Sequence, residues 1–183
     1  MALTPSNMLS LGTKAPDFSL LDSVSDTIVS LNEAKGTQGT VIMFICNHCP
    51  YVKRIGYRLA EDTKLLMSQG INVLAVMSND YQAVPADSPE NMKAFIKEYS
   101  FEFPYLVDEQ QSVGKLYDAV CTPDFFGFNK DGELQYRGRL DDAKMADDSS
   151  RTPELLNAMK MIAETGKGPQ QQSASMGCSI KWR

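Results

Sequence analysis

Cys46 and Cys49 stand two residues apart, directly after five apolar residues (41–45) and directly before Pro50. Two thiols at that spacing suit disulfide exchange, in which one thiolate attacks and a second thiol resolves the mixed disulfide. The apolar run fits a buried strand. Proline is favoured at the first position of a helix, where its missing N–H is no loss. The thiols are therefore expected on a strand-to-helix turn, at the positive end of a helix dipole. A cysteine ionises more readily there. On such a turn the first cysteine is expected to face outward and the second to lie beneath it, so Cys46 is read as nucleophile and Cys49 as resolving thiol. His48, the one histidine of the chain, lies between them. Protonated, it would stabilise the Cys46 thiolate and make the couple more oxidising.

Other chemistry is open to the same residues. Free cysteine packs well as a small hydrophobe, so the pair could be plain core. Cys46, His48 and Cys49 could instead ligate a metal, but zinc normally takes four ligands and Cys121 or Cys178 would have to complete the set. Cys121 could be an additional redox thiol or a packed, reduced one. Cys178 lies in a polar tail near Trp182 and could reach back as a second resolving cysteine. Lys53 and Arg54 add positive potential near Cys46 or simply form a solvated helix face. The acids Asp141, Asp142, Asp147 and Asp148 match no EF-hand spacing and read as a solvated loop. No metal and no organic cofactor are expected.

Composition narrows the class. The chain has 183 residues, 43% hydrophobic and 22% charged, which suits one globular domain. A net charge of −5 argues against nucleic acid, whose phosphates require a basic footprint. No stretch has the length of a membrane span. The first residues lack a basic start followed by an apolar segment, so no signal peptide is expected, which points to the cytoplasm. Structural disulfides are rare there, and four cysteines read better as redox-active, metal-binding or reduced.

The elements that must position the thiols follow from periodicity. Residues 15–21 and 27–31 read as short strands and residues 33–35 as a helical turn. After Pro50, Val52, Ile55, Leu59 and Leu66 recur at helical spacing up to Gly70. Residues 71–77 form another apolar strand. Strand, helix and strand with tight connections make a βαβ unit with parallel pairing. Residues 89–99 read as a second helix, 104–107 as extended and 112–117 as one or two helical turns. Residues 124–128 and 133–137 flank a hairpin turn, Asn129-Lys-Asp-Gly132. Phe125, Phe126 and Phe128 then belong to strand core. A last helix opens at Thr152-Pro153 and stops near Gly166. Residues 1–13 read as an arm and 168–183 as a tail of low order except near its end. The chain reads as a single domain over residues 1–183.

With a CxxC between strand and helix, a βαβ half, Thr122-Pro123, a hairpin and a closing helix, the chain resembles the thioredoxin fold. Leu11-Gly-Thr-Lys-Ala-Pro-Asp-Phe-Ser-Leu-Leu-Asp22 with Val29-Ser-Leu31 resembles the opening of the peroxiredoxin and alkyl hydroperoxide reductase branch. Cys46-Asn-His-Cys49-Pro50, Cys121-Thr-Pro-Asp-Phe-Phe126 and Gly177-Cys-Ser-Ile-Lys-Trp182 together resemble the peroxiredoxin-like group of bacterial thioredoxin-family proteins. The resemblance implies an α/β thioredoxin-like fold, a central mixed sheet flanked by helices with an N-terminal β extension of the peroxiredoxin type. It also implies that Pro123 is a cis-proline facing the CxxC, with Thr122 offering backbone to a substrate and Cys121 near the pair. Two positions depart from the pattern. Met43 stands where peroxiredoxins carry a Thr or Ser three residues before the peroxidatic cysteine. Thr40 stands where thioredoxins carry a buried acid.

The expected function is a thiol–disulfide oxidoreductase working through Cys46 and Cys49 on protein or small-molecule disulfides, recycled by a thiol reductant system. The alternatives are a thiol peroxidase using Cys46 and a metal-binding protein using Cys46, His48 and Cys49.

Overall fold

A computed structural model describes residues 3–143, 145–146 and 149–183. In chain order the strands are β1 (Leu3–Pro5), β2 (Ser19–Asp22), β3 (Ile28–Ser30), β4 (Gly39–Phe44), β5 (Ile71–Met77), β6 (Tyr105–Val107), β7 (Cys121–Thr122), β8 (Asp124–Phe128), β9 (Leu134–Gly138) and β10 (Met176–Ser179). The helices are α1 (Leu31–Ala34), α2 (Pro50–Ser68), α3 (Pro89–Tyr99), α4 (Ser112–Leu116) and α5 (Glu154–Thr165).

Seven strands form one mixed sheet in the order β3-β2-β6-β5-β4-β8-β9. β4 pairs parallel with β5, and β5 with β6. β8 runs antiparallel to β4, and β9 to β8. The β2–β3 hairpin adds the N-terminal extension at one edge. Thr40 to Phe44 and Val73 to Met77 are buried throughout, as strands covered on both faces must be. Alternation then sorts their side chains. Val41, Met43, Val73 and Ala75 pack with Leu59 of α2, Phe95 of α3 and Met159 of α5. Ile42, Phe44, Leu74 and Val76 pack on the other face with Leu31 of α1, Val113 of α4 and Tyr117. The fold is thioredoxin-like, a central mixed sheet with helices on both faces. No helix among the described residues is long and apolar enough to cross a membrane.

Three expectations need correction. The strand expected over 15–21 starts only at Ser19, because Pro16 has no N–H for a ladder and its carbonyl instead accepts a hydrogen bond from the Tyr117 hydroxyl at 2.6 Å. The N-terminal arm is not loose: β1 pairs antiparallel with β10, which lies in the end of the tail that the sequence set apart, and β10 pairs with β7, in a second sheet of order β1-β10-β7. Asp141 is no solvated acid. It is 3% exposed and accepts Arg58 Nε at 2.8 Å, with Arg151 Nη1 at 3.4 Å. Asp142 accepts the Thr152 amide at 2.7 Å, and Asp147 and Asp148 lie outside the described residues.

Candidate active site

β4 leaves the sheet at Phe44, the Ile45 amide makes a last bond to the Val76 carbonyl, and residues 46–49 turn into α2. Cys49 is the residue capping α2 and Pro50 opens it; the Cys49 carbonyl accepts the first intrahelical bond, from Lys53 at 3.0 Å. Both thiols are unbridged. Across from them the Thr122–Pro123 peptide bond is cis. Thr122 touches both sulfurs: its Oγ1 lies 3.3 Å from Cys46 Sγ, and its carbonyl oxygen lies 3.2 Å from Cys49 Sγ.

Neither thiol faces outward. Cys46 is 1% exposed, so it does not face outward, and Cys49 is fully buried. The Cys46 thiol donates to Cys49, which raises the Cys46 pKa well above the ordinary thiol value; burial and the neighbouring Asp87 charge push it the same way. The same hydrogen bond lowers Cys49 to about 5, against its burial, with help from Cys178 and from the Val52 amide in the first turn of α2. Donors from Cys46, Cys178 and the Val52 amide thus converge on Cys49 and favour its ionisation. When Cys49 is protonated, the Thr122 carbonyl is its acceptor.

His48 is tied to a residue that its sequence surroundings do not reveal. Asp87, fully buried in the loop after β5, accepts the Asn47 and His48 amides on Oδ1 at 2.8 and 3.1 Å. Its Oδ2 lies 2.6 Å from His48 Nδ1 and accepts Asn79 Nδ2 at 2.8 Å. A carboxylate only accepts, so this contact is a hydrogen bond donated by Nδ1. Asp87 thus fixes both the backbone of the turn and the imidazole. Thr40, at the position of the thioredoxin acid, instead accepts the Gly36 amide at 3.1 Å.

The metal reading changes its members. One ligand atom each from Cys46, His48 and Asp87 lies within 4.8 Å of the others, with Asp87 in place of Cys49. Four donors already occupy the Asp87 carboxylate, and a cation would have to displace them.

Cys178 does reach back. In β10 it pairs with Thr122, and its Sγ lies 2.9 Å from Cys49 Sγ. Burial and the charge on Cys49 push the Cys178 thiol up to about 12. Cys121 is also buried, but its Sγ faces the Pro123 carbonyl at 3.9 Å, and burial with the nearby Asp124 charge keeps it a thiol. Beside Pro123 an apolar cavity of about 310 Å³ opens between Leu3, Tyr51, Ile55, Phe125 and Met176.

Residues 11–137, more than half of the chain, match the family described as AhpC/TSA. The chain belongs to the AhpC/TSA family. Among curated relatives, this AhpC/TSA protein is 26% identical over 126 residues to the thiol-disulfide oxidoreductase ResA of Bacillus subtilis (strain 168). The match covers 69% of the chain but 65% of that relative, just under two thirds of its length. A conserved, uncharacterised protein of Geobacillus kaustophilus has a solved structure with 43% identity and a TM-score of 0.94, over 100% of this chain and 97% of that one. A hypothetical protein of Sinorhizobium meliloti 1021 gives 39% identity and 0.92, over 98% of each. The thioredoxin domain of a Bacteroides vulgatus thiol-disulfide oxidoreductase shares the fold at 19% identity and a TM-score of 0.66, over 85% of this chain and 99% of that one.

Proposed function

We propose that the protein is a thiol–disulfide oxidoreductase whose Cys46 and Cys49 cycle between dithiol and disulfide. The observation that carries this reading is the hydrogen-bonded thiol pair at the start of α2, with Thr122 against both sulfurs. Cys46 is the attacking sulfur: Cys49 is enclosed by Cys178 and the Thr122 carbonyl, whereas Cys46 has the Thr122 hydroxyl beside it. Its proton crosses the hydrogen bond to Cys49, and the Cys46 thiolate displaces one thiolate from a substrate disulfide, which is protonated as it leaves. Cys49, ionised again, attacks Cys46 Sγ and releases the second substrate thiol. Two protein thiols become one disulfide and the substrate disulfide becomes two thiols. The substrates are protein or small-molecule disulfides, and a thiol reductant reverses the cycle. With oxidised glutathione, Cys49→Ser is expected to accumulate a mixed disulfide on Cys46, and Cys46→Ser to give none on Cys49. Glutathione found only on Cys49 reverses the roles of the two sulfurs.

One observation favours a peroxidase as second reading. The Thr122 hydroxyl, 3.3 Å from Cys46 Sγ, supplies the group that Met43 does not. Peroxide would oxidise Cys46 to a sulfenic acid, and Cys49 would condense with it, releasing water. Consumption of hydrogen peroxide with dithiothreitol as reductant, lost in both Cys46→Ser and Thr122→Val, tests it.

A further inference from the structure

We propose that Cys178 is a third redox thiol, which exchanges with a Cys46–Cys49 disulfide to form Cys49–Cys178 and return Cys46 to the thiol. The proposal rests on the reading above that Cys46 and Cys49 form a disulfide.

The geometry is already close. Cys49 Sγ and Cys178 Sγ are 2.9 Å apart, and a disulfide bond spans about 2.05 Å, so bonding requires a displacement of less than an ångström. This proximity is built into the fold. β10 pairs with both β1 and β7, in a register that sets Cys178 opposite Thr122. Gly177 lets the strand approach, because a Cβ there would collide with the Thr122 carbonyl. Beyond the strand, the Ile180 amide bonds to the Val120 carbonyl at 3.0 Å and the Lys181 amide to Asn79 Oδ1 at 2.8 Å. Cys178 is also 1% exposed, so Cys49 is its nearest reaction partner rather than solvent.

The step balances without an added oxidant. Cys178 gives up its proton and attacks Cys49 Sγ; the Cys49–Cys178 bond forms as the Cys46–Cys49 bond breaks; Cys46 leaves as a thiolate beside the Thr122 hydroxyl and takes up a proton. One disulfide and one thiol give one disulfide and one thiol. In the reduced protein the Cys49 charge holds the proton on Cys178. Oxidation of Cys49 removes that charge, so the attacking thiol is released only when there is a disulfide to attack. The result is an oxidised protein with a free Cys46, able to capture a second substrate disulfide as a mixed disulfide.

The test is a time course. Fully reduced protein is exposed to a stoichiometric amount of the thiol oxidant diamide, quenched in acid, alkylated, and its disulfides mapped by mass spectrometry. Wild type is expected to show Cys46–Cys49 first, with Cys49–Cys178 growing at its expense. Cys46→Ser is expected to form Cys49–Cys178 alone. Wild type that holds Cys46–Cys49 at every time point while Cys46→Ser forms no bridge overturns the relay and leaves the oxidoreductase reading intact. Wild type with no Cys46–Cys49 at any time overturns both.

Discussion

The His48 imidazole and the Asp87 carboxylate lie 2.6 Å apart, Nδ1 to Oδ2, with Asp87 fully buried and His48 partly open to solvent. The same carboxylate bonds the Asn47 and His48 amides, so one side chain holds the CxxC turn and its histidine together. Its charge also opposes ionisation of Cys46. Asp87→Asn is therefore expected to move alkylation of Cys46 by iodoacetamide to lower pH. It is also expected to destabilise the fold by about 1–3 kcal/mol, since a buried donor loses its acceptor. An unchanged alkylation profile removes Asp87 from the electrostatics of the pair.

A thiolate on Cys49 has a pH signature. In the reduced protein its absorbance near 240 nm should titrate with a midpoint near pH 5 and vanish in Cys49→Ser. A lowered pKa also links to stability: between about pH 5 and the ordinary thiol value of 9.0, the unfolded chain binds the proton that the folded chain has lost. Reduced wild type should thus gain stability relative to reduced Cys49→Ser as pH rises through this window, and lose the gain as pH falls through 5. Urea midpoints measured across pH check the sign, and a difference that does not vary with pH contradicts the charge placement.

Gly177 leaves no room for a side chain against the Thr122 carbonyl. Gly177→Ala is expected to cost roughly 1–3 kcal/mol, the usual range for overpacking, and to draw Cys178 away from Cys49. Denaturant titration gives the first effect. The second appears as slower formation of Cys49–Cys178 in a Cys46→Ser background, and an unaltered rate there means the strand tolerates the methyl group.

Asn79 joins the active-site loop to the tail, donating to Asp87 Oδ2 and accepting the Lys181 amide, both at 2.8 Å. Asn79→Ala leaves the Lys181 amide without its acceptor and removes one of the four donors to Asp87, at a cost of about 1–3 kcal/mol. Hydrogen exchange is expected to accelerate at the Lys181 amide and not in β4. Exchange that is unchanged at Lys181 would show that β10 holds the tail alone.

Local pattern carried much of the fold. The apolar runs ending before Cys46 and at Met77 are strands buried on both faces, and the 3.6-residue spacing of Val52, Ile55, Leu59 and Leu66 marks α2 directly. The CxxC and the Thr-Pro opposite it were legible as motifs. What depended on distant partners was not. Asp87 is one acid in a polar loop, and its only cue is that this loop follows the C-terminal end of a strand adjacent to the one carrying Cys46, where sites in such sheets gather. β10 is four residues without an apolar alternation, and its pairing with β1 joins opposite ends of the chain. The lowering of the Cys49 pKa depends in part on Cys178, more than a hundred residues further along the chain.

The most direct test of the central claim is the redox equilibrium of the purified protein in glutathione buffers, with disulfides mapped in wild type and Cys46→Ser. A thiolate stabilised as Cys49 is favours the reduced form, so a reversible Cys46–Cys49 bridge is expected, absent from the variant, with a potential above the roughly −270 mV of thioredoxin. Failure of Cys49 to bridge in wild type, either to Cys46 or by exchange to Cys178, at any ratio of oxidised to reduced glutathione would contradict the account.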